Sequence, residues 1–174
     1  MDYAQIIAQE RERQGLSQEE LAALLSLPVA RVQHWASGSS LPNLLQVPFL
    51  CAALRLTYES FFGVPPRKGR AHRRQPRAGA YQISYLPVMC NHTIRYYRLR
   101  QKMSVVEFAL RCNVPVHTVE KWEHGKAIPS LDMVPVICQA LRIRLWQFFE
   151  KAIARRDKAE EVRNAYRKPP SPAA

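Results

Sequence analysis

Acid is scarce in this chain beside its bases. Fourteen Asp and Glu face 26 Lys and Arg among 174 residues, a formal net charge of +12. The balance points to a polyanionic partner, against the plainer reading that the excess only keeps the chain soluble. Glycine is also sparse, at six residues, while 47% of the chain is apolar. That composition suits compact helical domains rather than a disordered polymer. Runs of eighteen apolar residues are absent, so no membrane span is expected. The opening residues Met1-Asp2-Tyr3-Ala4-Gln5 lack the basic and apolar blocks of a secretion signal, and a soluble cytoplasmic protein is expected. There is no glycine-rich phosphate loop and no paired acid/base constellation, so no enzyme and no cofactor is expected. Four cysteines read as small core hydrophobes in a reducing compartment. Cys90-Asn91-His92 lacks a second ligand pair, which argues against a metal site.

What the chain does have is a copy of itself. An offset of 87 residues lays 94–149 over 7–62 without a gap. Ile7, Arg11, Arg13, Gln14 and Ser17 meet Ile94, Arg98, Arg100, Gln101 and Ser104. Pro28, Val29, Val32, Trp35 and Gly38 meet Pro115, Val116, Val119, Trp122 and Gly125, and Phe61-Phe62 meets Phe148-Phe149. Unrelated helical segments would not keep such a register. Two units of about sixty residues follow, each near the lower limit for a self-sufficient core.

Each unit reads as five short helices. In the first, a helix over about 2–14 ends at Gly15. Ser17 with Glu20 forms a capping box for the second helix, and Ser104 with Glu107 repeats it. Pro28 opens a third helix whose Val29, Val32 and Trp35 share a face. Pro48 and its counterpart Pro135 should kink the fourth helix or mark a later start. Tyr58, Phe61 and Phe62 then close the core.

The domains are therefore 1–63 and 91–150, with a basic connection over 64–90 and a basic tail over 151–174. Charge is uneven: the first unit is slightly acidic, while Arg67, Lys68, Arg70, Arg73, Arg74 and Arg77 stand in the connection without an interleaved acid. They suit phosphate or narrow minor-groove contact, with a solvated spacer as the alternative. Residues 81–86 alternate apolar and polar, which favours a short strand that packs on a domain or pairs with another chain. A tail helix from about 145 to 168 is expected, ending before Pro169-Pro170.

Two helices joined by a tight turn, the second followed by Trp-x-x-Gly, occur as SQEELAALLSLPVARVQHWASGSSLP (17–42) and SVVEFALRCNVPVHTVEKWEHGKAIP (104–129). This pattern resembles the helix-turn-helix domain of the Cro and phage-repressor (XRE-like) family. The resemblance implies an all-α fold: two five-helix, lambda-repressor-like domains joined by the basic linker. It also implies a nucleoid-associated transcriptional regulator that lays its third helix in the major groove of duplex DNA, because that groove admits one helix.

Carried over residue by residue, the base-reading positions are Gln18, Val29, Ala30, Arg31, Gln33 and His34, and in the second unit Val105, Val116, His117, Thr118, Glu120 and Lys121. Gln18 suits adenine, Val29 or Val116 a thymine methyl, and Lys121 guanine. Ser17 and Ser104 suit phosphate anchoring at helix N-termini. Ser37, Ser39, His124 and Lys126 fall in the loop the family sets against the backbone. The family's turn after the second helix usually holds glycine; this sequence has Ser26 and Asn113 there, and because Asn suits a left-handed backbone better, a slightly altered first turn is expected. The family's pairing of an arginine in helix one with a glutamate at the end of helix three is kept as Arg98 and Glu123; Arg11 faces Ala36 instead. The second unit is therefore expected to bind DNA more strongly. Three alternatives stay open: an accessory or antitoxin-like protein whose first unit binds a protein, a homodimer formed through that unit or through 81–86, and a non-specific binder driven by the arginine linker.

Overall fold

The computed structural model describes residues 1–44, 46–65 and 90–149. The basic cluster 67–77, the expected strand 81–86 and the tail beyond 150 lie outside the described residues. Within the described residues the chain is all-helical. The first unit comprises α1 (Tyr3–Arg13), α2 (Gln18–Leu25), α3 (Val29–Ala36), α4 (Val47–Ala53) and α5 (Tyr58–Phe61). The second comprises α6 (Cys90–Arg100), α7 (Val105–Cys112), α8 (Val116–Glu123), α9 (Met133–Ala140) and a helical stretch at 145–149.

Local chemistry sets these boundaries. The Asp2 carboxylate accepts from the Gln5 amide and starts α1. Ser17 Oγ accepts from the Glu20 amide while the Glu20 carboxylate accepts from the Ser17 amide, so the capping box forms. Its counterpart is only half built. Ser104 Oγ accepts from the Glu107 amide, but the Glu107 carboxylate takes Arg111 at 2.7 Å instead. The cause is one residue: the first unit has Leu24 where the second has Arg111, so Glu20 has no cation one turn ahead to compete with its cap.

The turns also correct an expectation. Ser26 (φ 51°, ψ 43°) and Asn113 (φ 53°, ψ 47°) hold the same left-handed conformation, so the first turn is not altered. Ser26 bears a strain that Asn113 carries more readily. Pro28 and Pro115 stand at the N-caps, one residue before α3 and α8. Pro48 falls in the first turn of α4, where its missing N–H is harmless, so the later start is realised and no kink is needed. Pro135 sits in the first turn of α9 for the same reason.

In both units the third helix rests on the first two: α3 packs on α1 and α2, α8 on α6 and α7. Trp35 is 0% exposed and Trp122 4%, with Val32 and Val119 beside them. The Gln14 side-chain amide donates to the Leu54 carbonyl, and Gln101 does the same to Leu141, tying helix one to the end of helix four in each copy. All four cysteines are free and buried. Burial pushes the Cys112 thiol up to about 11 and Cys90 up to about 12, which keeps them protonated core groups, as expected.

The largest difference between the units is a missing charge. Arg98 Nε and Nη2 donate to the two carboxylate oxygens of Glu123 at 2.5 and 2.7 Å, and Nη1 donates to the Met103 carbonyl at 2.8 Å. Both residues are buried, so this fork clamps the end of α8 to α6. Arg11 keeps the equivalent backbone contact, to the Leu16 carbonyl at 2.6 Å, but turns to the exposed Glu12 and leaves its buried Nε unpartnered. Ala36 supplies nothing in place of Glu123.

Glu123→Ala should cost about 3–5 kcal/mol in chemical denaturation, because it strands a buried guanidinium. Ala36→Glu should stabilise the protein by about 1 kcal/mol by giving Arg11 its missing acceptor. Loss of stability in Ala36→Glu would contradict this account of the site.

Tyr3 offers a pH test. Its hydroxyl donates to Asp132 Oδ1 at 3.1 Å, and burial first, then the Asp132 charge, raises its pKa above the ordinary phenol value. A proton held more tightly in the folded state stabilises the fold below the unfolded value, about 10; that contribution is lost as pH rises through the folded value. Stability followed by circular dichroism should therefore fall as pH rises past about 10, and by less in Tyr3→Phe.

Candidate nucleic-acid interface

Burying Val119 and Trp122 against α6 and α7 turns the opposite face of α8 to solvent, since residues three apart share one side of a helix. His117, Glu120 and Lys121 are exposed on it, Thr118 is half-buried, and Val116, three residues before Val119, stands at the edge of the buried side in the first turn. The same logic in α3 exposes Ala30, Arg31, Gln33 and His34 around a buried Val32 and Trp35. Val29 is half-buried and packs on the core, as does Val105, so these two share their surface between core and solvent. Gln18, at the start of α2, is half-buried. Ala30, Arg31, Gln33 and His34, and in the second unit His117, Glu120 and Lys121, thus face solvent, while Gln18, Val29, Val105 and Thr118 are only half open to it.

Gly38 (φ +72°) and Gly125 (φ +69°) end these helices in the left-handed region, each donating its amide back to the tryptophan carbonyl at 3.1 Å. A side chain there would be strained, and at Gly125 a Cβ would stand 3.2 Å from Asn91 Nδ2. The chain must reverse here, and the reversal places the loop residues beside the reading face.

The two loops differ in what they offer. Ser37 and Ser39 stand 2.9 Å apart and both reach the His34 carbonyl at 3.2 Å. Their two hydroxyl protons are therefore spent within the loop. The equivalent residues are His124 and Lys126, both exposed. His124 Nδ1 lies 2.7 Å from the Glu120 carbonyl, which only accepts, so Nδ1 donates and the ring is fixed against the helix end. Among the described residues no acid pairs with the Lys126 ammonium.

The helix N-termini differ in the same direction. Ser17 is followed by exposed Glu19 and Glu20, and Glu19 is held below the usual carboxylate range by its own backbone N–H first and by the Ser17 hydroxyl second. That end of α2 already holds its anions. At Ser104 the matching residues are Val106, uncharged, and Glu107, neutralised by Arg111. The N-terminus of α7 is thus the one open to a phosphate. Glu19 and Arg111 escaped the sequence reading, although both were visible as mismatches at aligned positions.

Such a pair of exposed helices, each set on its partner by a tight left-handed turn, is the geometry by which a helix-turn-helix protein enters a DNA groove. The helix-turn-helix family model matches residues 7–61 and again 94–145. The chain belongs to the Cro/C1-type helix-turn-helix family. That family is one of DNA-binding regulators, and the chain carries its domain in tandem. No curated protein and no solved structure matches the chain at a significant level. Among the described residues no helix is long and apolar enough to cross a membrane, and no group of His, Cys, Asp and Glu could hold a metal ion.

Charge at the two N-termini makes a prediction. Glu19→Gln should strengthen binding to every duplex alike, most at low salt, whereas Lys126→Ala should lower the slope of log affinity against log salt by about one. Fluorescence anisotropy across a salt series reads both; an unchanged slope in Lys126→Ala would remove that residue from the interface.

Proposed function

We propose that this protein is a sequence-specific regulator of transcription that binds double-stranded DNA, with α8 and its flanking loop as the principal contact and α3 as a weaker one. The observation that carries the reading is the chemistry of the second unit's outward face. Lys121 and His117 stand exposed above a buried Val119 and Trp122, Lys126 and His124 flank them, and the N-terminus of α7 is free of uncompensated acid. Lysine reads guanine through its O6 and N7 acceptors, and the Val116 side chain, 37% exposed, suits a thymine methyl. Gln18, Arg31, Gln33 and His34 have the donors to read a second, different sequence. Ser104, His124 and Lys126 would fix register on the phosphates without sensing sequence. The linker arginines would add a sequence-independent share.

Selection of bound fragments from a random duplex pool tests this directly, and an enriched common motif is the expected result. Lys121→Ala should then cost about 1–3 kcal/mol on the selected site and relax preference at one base pair, while Arg73→Ala should weaken all sequences equally. Fragments with no shared motif, bound with a steep salt dependence, would leave only non-specific polyanion binding.

A further inference from the structure

The two units are joined through aromatic rings, and two of these occupy the same position in each unit. Phe62 and Phe149 are equivalents in the duplication, and they stack on one another with centroids 5.9 Å apart and planes 18° from parallel. Tyr58 stacks on Phe149 at 4.4 Å, and Phe61 and Phe148 brace the pair edge-on within their own units, at 5.1 and 5.4 Å. Tyr3 completes the seam by its hydrogen bond to Asp132. Phe62 is 4% exposed and Phe149 1%, so the seam is core rather than a passing surface contact. Glu59 also bears on both Cys51 and Cys138, another pair of equivalents.

In a two-fold pair the same patch of each unit is used, so equivalent residues lying close to the axis touch one another, as Phe62 and Phe149 do. From the Phe62–Phe149 contact we infer that the two units form an internal, approximately two-fold pair, so one chain reads two unlike half-sites arranged as an inverted repeat on duplex DNA. This rests on the reading of α3 and α8 as DNA-contacting helices. The two-fold relation sets the orientation: an inverted repeat on DNA has the same symmetry, whereas a direct repeat does not. The reading residues set the asymmetry, since Ala30, Gln33 and His34 of one unit stand where the other has His117, Glu120 and Lys121. The packed seam sets the spacing, because units that share a core cannot slide apart to follow a lengthened site.

The test uses the full wild-type chain. Fragments selected from a random duplex pool should share two different half-motifs, inverted, at one fixed separation, and native mass spectrometry should find one chain per duplex. Inserting about five base pairs, half a helical turn, between the halves should reduce affinity at least tenfold. Phe149→Ala should shrink that penalty by loosening the seam. Directly repeated halves, free tolerance of spacing, a single half-motif, or two chains on a palindrome would each overturn the inference while leaving sequence-specific binding intact. A pool with no enriched motif would instead sink the DNA-reading proposal, and this inference with it.

Discussion

Each proposed reading surface depends on an indole buried beneath it. Trp35 and Trp122 sit in cores of about sixty residues, where one large side chain is a substantial share of the apolar burial, and replacing either with alanine would remove about 3–5 kcal/mol. The helix that carries the tryptophan has no freedom to turn. With one face committed to the core, the residues at the intervening positions must face solvent, and the glycine that follows forces the chain back across the helix end. On the proposed reading, recognition is a by-product of packing: the core decides which side chains are outside, and the sequence is then free to vary them.

That freedom has been used differently in the two copies. The second unit keeps a buried arginine–glutamate fork, a helix start whose single acid, Glu107, is paired with Arg111, and the loop residues His124 and Lys126. The first keeps the arginine but not its glutamate, carries two acids at its helix start, and spends its loop hydroxyls on itself. None of these changes disturbs the backbone, since Ser26 and Asn113 adopt nearly the same angles. The duplicated scaffold is held while the charge on its working face moves from mildly negative to positive. Such a pair would divide the labour of binding, one unit supplying most of the attraction and the other adding discrimination.

Much of this could be read from the chain itself. The spacing of Val32 with Trp35 and Val119 with Trp122 marks the buried face, Ser17 with Glu20 marks a helix start, and the loss of the Arg11 partner is visible as Ala36. What was hidden involves a choice among partners. Glu107 could cap its helix or pair with Arg111, and both are allowed by spacing; only three-dimensional geometry shows which wins. Ser37 and Ser39 look like phosphate donors until their protons are traced to the His34 carbonyl. The meeting of Phe62 with Phe149 was least accessible, because hydrophobic periodicity says that a ring is buried without saying against which unit. Residues 66–89 and 150–174 lie outside the described residues, so the expected strand, and the tail helix past 149, remain readings of the sequence.

The central claim is that the outward face of α8 lies within a duplex groove, and amide chemical-shift mapping tests it most directly. On titrating a selected duplex into the labelled protein, the account predicts the largest shifts at Ser104, Val105 and residues 116–126, with smaller ones at 17–18 and 29–39. Shifts confined to other surfaces, with α8 and α3 silent, would contradict it.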